Sequence, residues 1–311
     1  LKFTHRFSLL VLVPRISEYI APAGATYTYW GTTADNHANS VTLNGIIPYR
    51  MADGSFRAIV PPTTTASTLH GNYKDEAGRM VNFRSTPYSS GFTSGGCYTL
   101  TVTRSQPGVT PERKVAVGDF YMQNGMIVAG SKETLTAEEK VNCIGIVFKV
   151  GAGSGDNASN YDGKLTAIQG YVVSLRQEWL AWGDASKKWT DVLYDYRGYL
   201  NTKKILEGIN QGYSFPACKW CVEYTPKPTG MTSGWYFPSN DPVGDFANNA
   251  TTLNTYLNKV TGSTRISERY LTSTESSSDP VTRCTGRLVG DGATYYNLKS
   301  NALGVRAILT F

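Results

Sequence analysis

No stretch of eighteen apolar residues occurs in the 311-residue chain, so the sequence predicts no transmembrane helix. Histidine is scarce. His5, His37 and His70 all lie near the start, and a histidine base for the rest of the chain would have to come from there. Gly-x-Ser-x-Gly, a Gly-Lys-Ser/Thr phosphate loop and His-Glu-x-x-His are absent, and no catalytic residue is assigned. Runs of positive charge are missing too. The net charge of +6 is dispersed, and the longest basic runs, Lys187-Lys188 and Lys203-Lys204, are two residues each. That leaves no footprint for a nucleic-acid partner. The five cysteines, Cys97, Cys143, Cys218, Cys221 and Cys284, cannot all pair within one chain. Cys218-Lys219-Trp220-Cys221 stands without the second CxxC or histidine pair that a zinc site needs, and without a thioredoxin-like strand-to-helix context. It reads as two half-buried thiols one helical turn apart, where a bridge would be strained. Neither a metal nor a cofactor is expected.

What is present is a β-rich vocabulary. Twenty tyrosines and 31 glycines accompany only 17% charged residues, a profile that suits a secreted, extracellular protein. The opening, Leu1 to Pro14, is not read as a signal peptide, since it has no initiator Met and its charges interleave with apolar residues. It alternates like a strand from Phe3 to Leu9, as if the chain began inside a folded element after processing. Strand patterns follow at Thr26–Trp30, Ser40–Gly45, Ser55–Val60, Arg79–Phe83 and Cys97–Thr103, with a hairpin signal at Ala52-Asp53-Gly54 and a stop at Pro61-Pro62. About seven strands without a helix predict a β-sandwich over residues 1–113. Pro107-Gly108 and Pro111 to Lys114 read as a linker.

From 114 to 311 the pattern becomes mixed. Val115–Met122 reads as a strand, Thr136-Ala137-Glu138-Glu139 as a capping box, Cys143–Val150 as a strand buried on both faces, and Gly170–Leu175 as a further strand. An aromatic-rich insert follows, and from it Trp182, Trp189, Tyr194, Tyr196 and Tyr199 are the candidate ligand contacts. Flat, rigid rings suit a glycan or a protein surface. Helices are predicted from 201 to 210, with Thr202 as cap, and from Phe215 to Tyr224, with Pro216 in the first turn. Asp156 to Gly163 carries oxygen side chains at alternate positions, but no closing Glu completes an EF-hand, and the segment reads as a solvated turn.

The last eighty residues hold Gly234-Trp235-Tyr236-Phe237-Pro238-Ser239, a helical stretch from Asp245 to Val260, Tyr270-Leu271-Thr272-Ser273-Thr274-Glu275, and Gly304 to Phe311. Taken as aromatic strand, helix, strand and terminal strand, this order resembles the closing half of C-type-lectin-like domains of the formylglycine-generating-enzyme and bacterial-surface branches. Upstream, Asp53-Gly54-Ser55-Phe56-Arg57-Ala58-Ile59-Val60-Pro61-Pro62 and Ser94-Gly95-Gly96-Cys97-Tyr98-Thr99-Leu100 are similar to the N-terminal domain of Bacteroidales fimbrillin-like surface proteins. The resemblance implies a mainly β chain, with a transthyretin-like sandwich at 1–113 followed by an α+β, C-type-lectin-like domain at 114–311. It implies a fimbrial or pilus subunit on the surface of a Gram-negative cell, probing a glycan or surface protein from the pilus tip. Its partners would be other pilus subunits, joined by strand complementation of the N-terminal domain. Two other readings remain at this point: a shaft subunit polymerising by strand exchange, and an enzyme on the lectin-like scaffold. Because Cys284 stands alone, no catalytic cysteine is carried over.

Overall fold

The computed structural model describes residues 6–15, 19–30, 41–51, 55–74, 80–103, 112–132, 134–191 and 194–311. The chain is mainly β, with several sheets. It divides into two compact units. One holds Leu1–Pro22, Gly31–Arg113 and Ser131–Glu133, and the other holds Ala23–Trp30, Lys114–Gly130 and Thr134–Phe311.

The first strands in chain order are β1 (Ser8–Arg15), β2 (Thr28–Tyr29), β3 (Val41–Leu43) and β4 (Tyr49–Arg50). After them come β5 (Phe56–Val60), β6 (His70–Lys74), β7 (Met80–Arg84) and β8 (Cys97–Thr103). All but β2 belong to the first unit. There, β4-β5-β1-β8 form one sheet and β3-β6-β7 another. Alternate residues of both, Leu10, Leu12, Phe56 and Ala58 from one, Leu43, Tyr73, Val81 and Phe83 from the other, meet in a single core. This is a two-sheet sandwich. Asn44 and Gly45 both take positive φ, 51° and 78°, and turn the chain after β3 as a primed turn requires. The hairpin signal at 52–54 and most of the expected linker lie outside the described residues. Among the described residues the first strand starts at Ser8, and Phe3 to His5 of the expected strand lie outside them.

Thr26–Trp30, expected among the first unit's strands, goes elsewhere. β2 pairs in parallel with β10 (Met126–Val128), and Trp30 N donates to Ile127 O at 2.7 Å. Burial explains this placement. Tyr27 and Tyr29 are enclosed, and the Tyr27 ring lies 6.3 Å from that of Phe311.

The second unit's large sheet runs β18 (Ile308–Thr310), β12 (Gly170–Ser174), β11 (Cys143–Val150), β9 (Phe120–Met122), β10, β2. Six consecutive buried residues open β11, as its unbroken apolar run predicts, and strands flank it on both sides. The capping box at Thr136 starts α1 (Ala137–Asn142). A second sheet runs β13 (Glu178–Ala181), β17 (Ala302–Val305), β14 (Arg269–Glu275), β15 (Arg283–Leu288), β16 (Thr294–Leu298). Helices α2 (Gly198–Asn210), α3 (Pro216–Glu223), α4 (Asn240–Asn248) and α5 (Ala250–Leu257) complete the unit.

Several expectations change here. Gly234–Ser239 is not a strand. Trp235, Tyr236 and Phe237 are all buried, and Tyr236 makes an isolated bridge to Ile308. The Asp245–Val260 helix is two helices that meet at Asn249. The terminal strand is also two, β17 and β18, in different sheets, with buried Arg306 between them donating to the carbonyls of Ser174 and Thr264. Helix α2 starts at Gly198, so Thr202 lies inside it, where its hydroxyl donates to Gly198 O and Phe237 O. Cys218 and Cys221 are fully buried rather than half-buried. Asp156 is not a solvated residue either. It is buried and accepts from the hydroxyls of Tyr161 and Tyr171, the latter at 2.7 Å.

Candidate functional site

The five candidate aromatic residues separate into interior and surface. Trp182 has no exposed area. Its indole N–H donates to Thr272 O at 2.9 Å, and the Lys299 ammonium sits 4.4 Å over its ring. Tyr196 is buried against Tyr171, ring centroids 4.7 Å apart, and donates to Asp245. Burial, then that hydrogen bond to a carboxylate, pushes its hydroxyl pKa far above the usual range. Tyr199 packs between Tyr161 and Tyr236 and receives Lys164 Nζ at 2.8 Å. These three build the interior. Trp189 and Tyr194 are half-buried and face outward in part. Burial, above all, raises the pKa of the Tyr194 hydroxyl.

Trp189 belongs to a cluster that the sequence did not delineate. Its ring lies 4.5 Å from Tyr213, at 62°, and 5.0 Å from buried Phe215, at 84°. The exposed Lys187 ammonium lies 4.2 Å from the Trp189 ring centroid and 5.3 Å from that of Tyr213. The indole N–H is already used, donating to Asp184 Oδ1 at 3.1 Å. Gly208 of α2 makes the packing feasible, because a Cβ there would meet Trp189 at 2.9 Å and Phe215 at 2.8 Å.

Beneath the cluster is an ion pair with no exposed area on either partner. Lys299 Nζ lies 2.5 Å from Glu275 Oε1. The same carboxylate accepts the Trp189 N–H at 3.0 Å, the Thr190 N–H at 2.9 Å and the Thr190 hydroxyl at 3.1 Å, while Lys299 also donates to Lys187 O at 3.4 Å. A buried pair is tolerable when hydrogen bonds saturate it, as here. The pair fixes the 187–190 backbone to the ends of β14 and β16. Tyr213 and Lys187 come from sequence positions that no spacing rule connects to Glu275.

The first unit offers a different feature at the edge of its four-stranded sheet. Among the described residues β8 pairs only with β1, in parallel, from Leu9↔Cys97 to Arg15↔Thr103. Tyr98 and Leu100 stand on the same side as Leu10 and Leu12. The two β1 residues are fully buried, but Tyr98 and Leu100 are only partly so. On the opposite side, near the start of β1, a cavity of about 390 Å³ is lined by Phe7, Leu9, Ile59 and Cys97 with neighbouring glycines. Phe7 and Ile59 are exposed.

Cys284 is sealed in the core, and burial pushes its thiol up to about 12, so it stays protonated at neutral pH and is no nucleophile there. Among the described residues no group of three His, Cys, Asp or Glu side chains is placed to hold a metal ion, and no helix is long and apolar enough to cross a membrane.

No family model matches the chain, and no curated protein matches it. A solved structure does match, that of a fimbrial protein from Bacteroides ovatus. The identity is 22% and the TM-score 0.53, over 99% of this chain and 71% of that one. At that identity the likeness is one of fold.

Proposed function

We propose that the chain is a subunit of a bacterial cell-surface fimbria, displayed outside the cell. In this reading the first unit is a transthyretin-like sandwich that accepts a strand from a neighbouring subunit. The second is a C-type-lectin-like domain that presents a ligand surface to a glycan or a surface protein. The observation that carries the reading is the edge at β8, which among the described residues pairs on one side only. An extended segment laid along it gains main-chain hydrogen bonds and covers the open sides of Tyr98 and Leu100. The fold shared with the Bacteroides ovatus fimbrial protein supports it. The tip is the position assigned to it in this reading, because a ligand surface on the second unit is presented outward at a fibre end. Trp189 and Tyr194 are the members of the candidate set left to meet a ligand.

The test compares amide hydrogen exchange of β8 in the purified monomer and in assembled fimbriae, together with immunogold labelling of the fibres. Protection of β8 on assembly and gold at fibre ends are expected. Equal exchange in both states would remove strand acceptance at this edge. Labelling along the whole fibre would replace the tip with the shaft.

A further inference from the structure

We infer that the Lys187–Trp189–Tyr213 cluster is a binding site for an acidic saccharide, held ready by the buried Glu275–Lys299 pair. The inference rests on reading the second unit as a displayed binding surface and specifies its ligand. Three observations lead to it. First, the rings are fixed before any ligand arrives. The Trp189 and Thr190 N–H groups and the Thr190 hydroxyl end on Glu275, Phe215 backs the indole edge-on, and the indole N–H is tied to Asp184. Aromatic faces held this way lose little entropy on binding. Second, the ammonium beside them is not engaged in an ion pair. Lys187 has no carboxylate within ion-pairing distance among the described residues and rests over the two rings. Of the nearby acids, Asp184 is committed to Ser186 and Trp189, and Asp191 is paired with Lys204 at 2.6 Å. Third, the indole donates inward, so what the cluster offers a ligand is a ring surface and one ammonium.

A pyranose matches that offer. Its axial C–H face lies on an aromatic ring, and a carboxylate or sulfate on the sugar draws Lys187 off the rings into an ion pair. A neutral sugar leaves the ammonium unused.

The experiment uses the full chain and isothermal titration. The probes are a hyaluronan tetrasaccharide, a heparin tetrasaccharide and sialyllactose, against cellotetraose, lactose and a tetraglutamate peptide. Binding of at least one acidic glycan is expected, weakening as salt rises. Lys187→Ala is expected to lower that affinity about tenfold, with Lys187→Arg retaining most of it. Tyr213→Ala is expected to weaken binding while leaving the melting temperature nearly unchanged, which separates loss of contact from loss of fold. Absence of binding to all three acidic glycans would overturn the inference. So would equal binding of the neutral sugars or the peptide, or an unaffected Lys187→Ala variant. Protection of β8 in fimbriae is measured separately, so its persistence in any of those cases leaves the fimbrial reading standing.

Discussion

Glu275 ties the 189–190 backbone and Lys299 together in the second unit. Replacing it with Ala strands the Lys299 ammonium in the core and leaves two N–H groups and a hydroxyl without their acceptor, at an expected cost of about 3–5 kcal/mol in urea unfolding. Lys299→Met is expected to cost less, because the carboxylate keeps those three donors. Asp184 gives a pH readout for the same loop. Burial alone would raise its pKa, but the Ser186 hydroxyl and N–H and the Trp189 indole hold it below the usual carboxylate range. A carboxylate depressed in the folded state contributes stability above the unfolded value, about 3.9, and loses it as pH falls through the folded value. The Trp189 indole proton is therefore expected to hold its NMR position at neutral and mildly acid pH and to move only below roughly pH 4. Movement near neutrality would contradict the assignment. The ring of Trp189 was legible in the sequence as a candidate contact. Its partners were not, because the bonds that assemble them join residues 86 positions apart. Trp182, Tyr196 and Tyr199 show the converse: aromatic type marks a large contact area without saying whether ligand or core will supply it.

Elements with a local cause were read well. The capping box of α1, the proline at the start of α3 and the apolar run of β11 each act within a few residues. Elements defined by distant pairing were not. The segment 234–239 has the composition of a strand, but Phe237 N donates to the Thr202 hydroxyl and only Tyr236 bridges to Ile308, so three aromatic residues plug the core without entering a ladder. Trp235→Ala is accordingly expected to cost about 3–5 kcal/mol through the cavity it leaves, read from chemical denaturation. Within α2, alanine at a helical glycine ordinarily gains about 1 kcal/mol. Gly208→Ala is expected to reverse that sign, lowering the melting temperature and shifting the Trp189 indole resonance, because the added methyl meets both Phe215 and Trp189 inside 3.0 Å.

The two units are not successive lengths of chain. Ala23–Trp30 is taken into the second unit, although residues 31–125, most of them in the first unit, separate it from β10 in sequence. A fragment cut to residues 114–311, the boundary that composition suggests, would lack β2 and uncover Phe311 where Tyr27 meets it. That fragment is expected to melt below the full chain, and a synthetic peptide of residues 23–30 added in excess is expected to restore part of the difference. Equal melting of fragment and full-chain second unit would mean that β2 is dispensable. The mainly β character was plain in the spacing of apolar residues and turns. This exchange of one segment was not, because a two-residue strand has no period to read.

The parallel pairing of β1 with β8 also sets a timetable. As the polypeptide is made, β1 is complete at Arg15, yet its parallel neighbour starts only at Cys97. Likewise β2 waits for Met126, and β12 waits for Ile308. At ordinary synthesis speeds each wait is on the order of seconds, far longer than a hairpin needs to close. Neither sheet can be completed piecemeal from its leading end. The second unit's large sheet therefore stays incomplete until Ile308 is made, a state that a holding chaperone can bind.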